Sequence, residues 1–162
     1  MSTLRLEVLM KSALSAYVAT TPSGRTVATL HRNARPKQPW LLDMAGREYR
    51  ITHEVASNKL LLNDFRYALM DGEATLASCT ATPAVRTTEV LIGDVSYHLV
   101  RRNRWLSICY VLEDGNGRAL GSIVETTGFS LWRRKFQLEM PESLGAPQAM
   151  FLFYLVANFS FR

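Results

Sequence analysis

Residues 147–161 read PQAMFLFYLVANFSF, and this stretch decides the fold because it is apolar on almost every side. Its main polar exceptions are Gln148, Asn158 and Ser160, and Pro147 suits the first position of a helix. A helix that is hydrophobic all round must be buried all round, and in a small, mostly β protein the interior of a wide barrel offers that environment. A hydrophobic C-terminal strand is the competing interpretation, since Phe, Tyr and Val also favour strands.

The residues before this tail form short segments in which apolar and polar side chains alternate, and turn residues separate the segments. Such alternation is typical of half-buried strands. In the clearest case, one face carries Tyr49, Ile51, His53 and Val55. We predict about a dozen strands: Arg5–Met10, Tyr17–Thr21, Thr26–His31, Trp40–Met44, Tyr49–Val55, Phe65–Leu69, Ala74–Thr82, Glu89–Ile92, Val95–Leu99, Leu106–Leu112, Leu120–Glu125 and Leu131–Met140.

Tight turns connect several of these segments. The Asp71-Gly72 pair is a strong hairpin signal, and Asp114-Gly115-Asn116-Gly117 can supply the positive φ angles that a hairpin needs. Many strands at close spacing indicate a sandwich or a barrel, and barrel closure also removes exposed edge strands. We therefore predict a mainly β protein, a closed antiparallel β-barrel of about twelve strands around a buried hydrophobic C-terminal helix. It would form one domain over residues 1–162, with strands within 5–140 and the core helix at 147–161.

Size and composition fit this picture. The chain has 162 residues and a formal net charge of +5, which favours anionic partners without specifying one. Cys79 and Cys109 lie thirty residues apart and are interpreted as reduced thiols. Charged residues interrupt the apolar N-terminus, and the C-terminal apolar run is shorter than the roughly 20 residues that cross a bilayer. We expect a cytoplasmic protein, with peripheral attachment to a membrane if it binds lipid.

The sequence shows no group of residues in the pattern of a known catalytic or metal-binding motif. His31, His53 and His98 lie far apart, and strand parity points His53 into the core. The sequence contains neither the Gly-x-Ser-x-Gly motif of a nucleophilic serine nor the phosphate-binding GxxxxGK[ST] loop. Asp114 and Asn116 lack the further acidic residues of a calcium-binding loop. We expect no enzymatic activity, no cofactor and no metal.

Two clusters of basic and aromatic residues are the candidate binding site. One is Arg101-Arg102-Asn103-Arg104-Trp105, and the other is Trp132-Arg133-Arg134-Lys135. Guanidinium groups bind phosphate oxygens in a forked geometry, and indole rings favour membrane interfaces or stack on bases. The alternative is that these residues form an ordinary solvated surface. The candidate anion- or lipid-binding residues are Arg101, Arg102, Arg104, Trp105, Trp132, Arg133, Arg134 and Lys135.

The order and spacing of these elements resemble the tubby-like superfamily, which includes tubby C-terminal domains, phospholipid scramblases and LURP-one-related proteins. The resemblance rests on Phe65–Gly72, Val95–Leu99, Leu112–Gly117, Gly121–Ile123 and the tail Ala149–Phe161. It implies a closed barrel around a helix and, by analogy with tubby domains, binding of phosphoinositides. The chain lacks a cysteine-rich palmitoylation stretch, so scramblase activity is not implied.

We therefore expect a non-enzymatic module that binds anionic phospholipid head groups or a protein partner. Binding of single-stranded nucleic acid by the same residues is the alternative. A barrel enclosing a small apolar ligand is a third possibility, which would require an empty interior.

Overall fold

A computed structural model of the chain describes residues 2–11, 16–33, 38–57, 63–82, 85–104, 107–127 and 133–160. Within them the chain forms twelve strands, a 3₁₀ turn at Glu142–Leu144 and one α-helix. The strands are β1 (Thr3–Lys11), β2 (Ala16–Thr20), β3 (Thr26–His31), β4 (Trp40–Met44), β5 (Arg47–Ser57), β6 (Asp64–Asp71), β7 (Ala74–Ala81), β8 (Thr87–Ile92), β9 (Val95–Arg104), β10 (Ser107–Glu113), β11 (Ala119–Glu125) and β12 (Lys135–Pro141). The helix is α1 (Ala146–Ser160).

The strands close into a single antiparallel barrel, as the sequence predicts. Each strand pairs with the next along the chain, and β12 pairs with β1 to close the ring. In that closing pair Leu6 lies opposite Leu138, and Val8 lies opposite Phe136. Because consecutive side chains on a strand point to opposite faces, this register places the apolar residues of both strands inside the barrel.

The alternation of side chains holds along most of the wall. In β12 Phe136, Leu138 and Met140 are buried while the residues between them are exposed. Val55 departs from the prediction, because its side chain is 51% exposed although it shares the inner face of β5. The strand continues to Ser57, so Val55 lies near its end, beyond the closely packed core.

The helix fills the interior of the barrel. Every residue from Ala149 to Ala157 is at most 1% exposed, so no side of the helix meets solvent there. Phe153 packs edge-to-face on Tyr17 and Phe136, with ring centroids 5.1 Å apart in both pairs. Tyr154 packs on Tyr67 and on the ring of Trp40 from other parts of the wall. Among the described residues, the helix thus occupies the barrel axis, where the enclosed apolar ligand considered as the third possibility would otherwise lie.

The diameter of a twelve-stranded barrel fits a helix in its interior. Twelve strands at about 4.8 Å spacing enclose a backbone cylinder roughly 18 Å across, or about 24 Å once a tilt of about 40° is included. A helix with its side chains is about 10–12 Å wide. The remaining annulus is the thickness that the inward side chains of the wall occupy. Twelve strands thus suit a barrel whose core is a helix.

The two ends of the barrel differ in their connections. At one end, which we call the turn end, short turns join alternate strand pairs. In the two-residue β4–β5 turn, Ala45 has φ 51° and Gly46 has φ 75°, and a type I′ hairpin turn requires such positive φ angles. The helix enters the barrel at the turn end, because β12 ends there. The other end holds the last residues of β1, β3, β5, β7, β9 and β11 and the first residues of their successors.

Several predicted ends of strands and of the helix differ from those in the structure or lie outside the described residues. The helix begins at Ala146, one residue before the predicted Pro147. Leu106, Leu131, Trp132 and Phe161, which the sequence assigns to strands or to the helix, lie outside the described residues. In the part of the chain that is described, no helix has the length and apolarity to span a bilayer.

Candidate functional site

Charge is distributed unevenly along the barrel axis. Exposed basic side chains collect around the end opposite the turn end, which we call the basic end: they are Lys11, Arg32, Arg66, Arg86, Arg101, Arg133 and Lys135. The turn end carries exposed carboxylates and exposed arginines in about equal number, so its charge is roughly balanced: the carboxylates are Asp43, Glu48, Glu73, Asp94 and Glu142, and the arginines are Arg5, Arg25, Arg47, Arg50 and Arg118. Such an arrangement gives the basic end a positive potential that attracts anions.

Carboxylates do not cancel most of this charge. Among the described residues, Lys11, Arg86, Arg101, Arg133 and Lys135 form no ion pair. The carboxylates present at the basic end are already engaged, since Glu54 pairs with Arg66 at 3.5 Å and Asp64 accepts hydrogen bonds from the hydroxyls of Ser57 and Thr82. The basic end therefore has cations available for an external anion.

The first predicted cluster divides between the two faces of β9. Arg101 lies opposite Tyr110, whose side chain points inward. Burial raises the pKa of Tyr110, and the positive charge of Arg101 partly offsets that rise. Arg102 points outward and pairs with Glu113, so its charge is largely neutralised. Trp105 and the side chain of Arg104 lie outside the described residues.

The second predicted cluster also divides. Arg133 and Lys135 are exposed, as expected for an anion site. Arg134 is 5% exposed, and its guanidinium donates two hydrogen bonds, of 2.7 and 2.8 Å, to the carboxylate of Glu125. It also lies over the ring of Phe136 at 5.0 Å.

This placement corrects the assignment of Arg134 to the binding surface. Arg134 lies two residues before Phe136 and four before Leu138, so its side chain is on the same inward face as theirs. On that face it contacts Glu125 of the neighbouring β11. A buried charge persists only when it is paired and hydrogen-bonded, as here. Arg134 thus serves the packing of the barrel wall. Trp132, its predicted aromatic companion, lies outside the described residues.

The topology brings the two clusters to the same end of the barrel. β9 ends and β12 begins at the basic end, with β10 and β11 between them. Three strand spacings of about 4.8 Å separate the two strands by roughly 14 Å around the circumference. The exposed members, Arg101, Arg133 and Lys135, therefore belong to one end, although they are not in direct contact.

A groove on the outer wall adjoins the second cluster. It has a volume of about 530 Å³ and lies over β1, β2 and β12. Leu9 and Val18, which face each other across β1 and β2, contribute its apolar lining. Lys11 and Lys135 contribute cations, and Glu7 contributes a carboxylate.

The pairing of β1 with β12 places like charges close together beside this groove. Leu9 lies opposite Lys135, and the N–H of Met10 donates to the carbonyl oxygen of Arg134 at 3.0 Å. Continuing this register places Lys11 next to Arg133. Like charges directly across a sheet repel each other. An anion bound between them would remove this cost, which supports an anion site here.

Sequence reasoning missed part of the basic end. Lys11, Arg32, Arg66 and Arg86 stand singly in the sequence, so they attract no attention as clusters. A signal was nonetheless available, because in an antiparallel barrel every second connection lies at the same end. Sorting the charged residues by alternate connections groups these cations with Arg101 and Arg133.

Groups that could carry other chemistry are engaged in the fold. Oδ1 of Asp114 accepts the backbone N–H groups of Asn116 and Arg118, both at 2.9 Å, and so closes a turn. Cys79 and Cys109 are free and buried, and burial raises the pKa of Cys79 to about 12. Among the residues whose positions are described, no three His, Cys, Asp or Glu side chains group as metal ligands.

No family model matches this chain, and neither a curated protein nor a solved structure matches it. The resemblance to the tubby-like superfamily therefore stays a prediction.

Proposed function

We propose that this barrel is a non-enzymatic module that binds anionic phospholipid head groups at a membrane surface through its basic end. The observation that carries the proposal is the uneven charge along the axis: exposed cations outnumber carboxylates at the basic end, whereas the two roughly balance at the turn end. A protein that merely needed solubility would gain nothing from this uneven distribution. A negatively charged surface, by contrast, attracts the basic end more strongly than the turn end, so it both binds and orients the barrel.

The strength of this interaction follows from the charges available. Each Lys or Arg held close to an anionic membrane contributes about 1 kcal/mol, and the contribution decays within a Debye length of about 8 Å at physiological salt. The exposed cations of the basic end would together supply several kcal/mol. We therefore expect reversible binding that weakens as the salt concentration rises.

The test is co-sedimentation with vesicles of phosphatidylcholine alone and with vesicles that also contain phosphatidylserine or a phosphoinositide. The variant to compare carries Lys11→Glu, Arg101→Glu, Arg133→Glu and Lys135→Glu. Arg134 is left unchanged, because a glutamate there would place two carboxylates together in the wall beside Glu125.

A matched control carries Arg5→Glu, Arg25→Glu, Arg50→Glu and Arg118→Glu at the turn end. Both variants replace four arginines or lysines, so both have the same net charge. Loss of sedimentation in the basic-end variant alone would support the proposal. An equal loss in both variants would mean that only net charge matters, and a protein that ignores anionic vesicles would contradict the proposal.

The same variants distinguish the alternative functions. Tight binding of a single-stranded oligonucleotide, with affinity falling steeply as salt rises, would favour nucleic acid if vesicles are not bound. If anionic phospholipid head groups are the ligand, vesicles should instead be bound and should compete with the oligonucleotide for the basic end.

A further inference from the structure

The groove on the outer wall has a charge pattern that follows from the register of its strands. Across β2, β1 and β12, one row of outward side chains is Thr20, Glu7 and Gln137, and the next row is Val18, Leu9 and Lys135. All six residues line the groove. Its volume of about 530 Å³ lies within the range of about 300–1,000 Å³ that is typical of small-ligand sites.

This register leaves the charged side chains of the groove without a facing partner of opposite sign. Glu7 faces a hydroxyl on one side and an amide on the other, and Lys135 faces Leu9. Lys11, the third charged residue, faces Ala16. Among the described residues, neither Glu7 nor either lysine forms an ion pair. The groove therefore holds two cations and one carboxylate that are all available to a ligand.

The next row toward the turn end is different, because its charges compensate each other. Arg5 of β1 faces Glu139 of β12, and their side chains pair at 3.5 Å. Glu7 and Lys135 are only diagonal neighbours on the same two strands, which places their Cα atoms about 7–8 Å apart. Both side chains are exposed. A small ligand can thus contact a cation and an anion within one site.

The charges of the groove indicate which ligand would complement them. Two lysines and one carboxylate suit a ligand that carries two anionic groups and one cationic group. Phosphate and carboxylate oxygens accept strong, charge-assisted hydrogen bonds from Lys11 and Lys135, and a primary ammonium donates such bonds to Glu7. A ligand with phosphate groups alone would leave Glu7 unmatched and would be repelled by it. Leu9 and Val18 offer an apolar surface to the methylene groups of the ligand.

We infer that the groove is a selective site for a phospholipid head group that carries a phosphate, a carboxylate and a primary ammonium, as phosphatidylserine does. The inference rests on the proposed function and adds to it the place where the head group binds and the chemistry that is recognised. The two anionic groups contact Lys11 and Lys135, and the ammonium contacts Glu7. An anionic lipid without an ammonium, such as phosphatidylglycerol, is attracted by the positive charge of the barrel but makes no use of Glu7.

The experiment compares co-sedimentation with phosphatidylcholine vesicles that contain equal mole fractions of phosphatidylserine or phosphatidylglycerol. The two kinds of vesicle carry the same net charge, so a difference in affinity reports recognition of the head group. The protein should bind the phosphatidylserine vesicles about fivefold more tightly, which is the gain expected of one partly exposed ion pair.

Glu7→Gln should abolish this preference, so that the ratio of the two affinities falls to about one. The substitution removes a negative charge, and the general attraction to anionic vesicles therefore increases. Weaker electrostatic attraction cannot explain a lost preference in this variant. A protein without a preference for phosphatidylserine, or a Glu7→Gln variant that retains it, would overturn the inference.

The matched control is Glu73→Gln in the turn between β6 and β7. Glu73 is exposed and lies outside the groove, and its substitution changes the net charge by the same amount. This variant should keep the fivefold preference, and a loss here would mean that Glu7 has no specific role. Thermal unfolding of both variants checks that each barrel is intact.

Titration with the free head group, glycerophosphoserine, tests the location of the site without a membrane. Since exposed ion pairs each contribute little, its dissociation constant should be in the millimolar range. Backbone amide signals of β1 and β12 around Glu7 and Lys135 should shift in NMR spectra. Shifts confined to other strands, or no shifts above millimolar concentration, would contradict the site. Binding as tight as that of the vesicles would identify a soluble compound, not a lipid, as the ligand.

The vesicle measurements distinguish failure of the inference from failure of the proposed function. If the protein sediments equally with phosphatidylserine and phosphatidylglycerol vesicles, the selective groove is wrong while the proposed function stands. If it sediments with neither, both the proposed function and the inference fail.

Discussion

Replacing Phe153 by alanine measures how much of the stability of the barrel comes from its central helix. The side chain is fully buried, and its ring packs edge-to-face on Tyr17 of β2 and on Phe136 of β12. The substitution leaves a cavity between the helix and two neighbouring parts of the wall. Because close-packed interiors relax only partly around such a cavity, the lost contacts are not recovered.

The expected cost follows from comparable substitutions. A buried Phe→Ala change lowers the free energy of unfolding by about 3–5 kcal/mol. This figure already includes most of the free energy that the two aromatic contacts contribute. The total stability of a domain of this size is about 5–15 kcal/mol. The variant should therefore still fold, but its urea midpoint should fall by about 2 M if unfolding has an m-value of about 2 kcal/mol/M.

Urea denaturation followed by tryptophan fluorescence and far-UV circular dichroism is the appropriate assay. Leu91→Ala is the control, because Leu91 is 46% exposed on the wall and its truncation should cost about 1 kcal/mol or less. If Phe153→Ala costs no more than Leu91→Ala, the helix does not form the core of the barrel, and the reasoning from all-round burial is refuted.

Three further predictions concern the wall of the barrel. Gly121→Ala should lower the stability by about 1–3 kcal/mol in thermal or chemical denaturation, because the added Cβ would lie 2.5 Å from the carbonyl oxygen of Glu139; an unchanged midpoint would contradict this close approach. Glu125→Gln should cost about 3–5 kcal/mol, since it removes the carboxylate charge that the buried guanidinium of Arg134 contacts, and adding Arg134→Met should restore most of the loss; a double variant as unstable as the single one would contradict this expectation. Burial raises the pKa of Cys79 from 9.0 to about 12, so the thiol should resist alkylation at pH 8 until the protein unfolds. Because the folded pKa is the higher one, this contribution to stability is present below about pH 9 and is lost as the pH rises toward 12, which denaturation at several pH values would detect.

The sequence alone was sufficient for the architecture. Alternation with a period of two identifies each strand and its inner face, as in Phe136, Leu138 and Met140. The apolar tail specifies a helix that must be enclosed, and enclosure by short strands requires a closed barrel. These inferences succeed because they depend on local periodicity and on the cost of exposing apolar surface. Neither depends on knowing which residues meet across the fold.

The candidate site depended on the tertiary structure. The sequence showed two basic clusters, but it did not show that Glu125 buries the charge of Arg134 or that Glu113 neutralises Arg102. The alternation of side chains along β12 could have predicted that Arg134 points inward. The carboxylate that stabilises its buried charge, however, belongs to Glu125 of another strand. Only the pairing of strands in the folded barrel decides which charged residues form ion pairs.

The collection of cations at one end of the barrel has the same origin. Lys11 and Arg86 are far apart in the sequence and belong to no motif, and the closed antiparallel topology alone brings them to one rim with Arg101 and Arg133. The sequence determined the fold because secondary structure and burial are encoded by neighbouring residues. The proposed binding surface was decided by the tertiary structure, because electrostatic potential depends on distances in space between residues that the chain keeps apart.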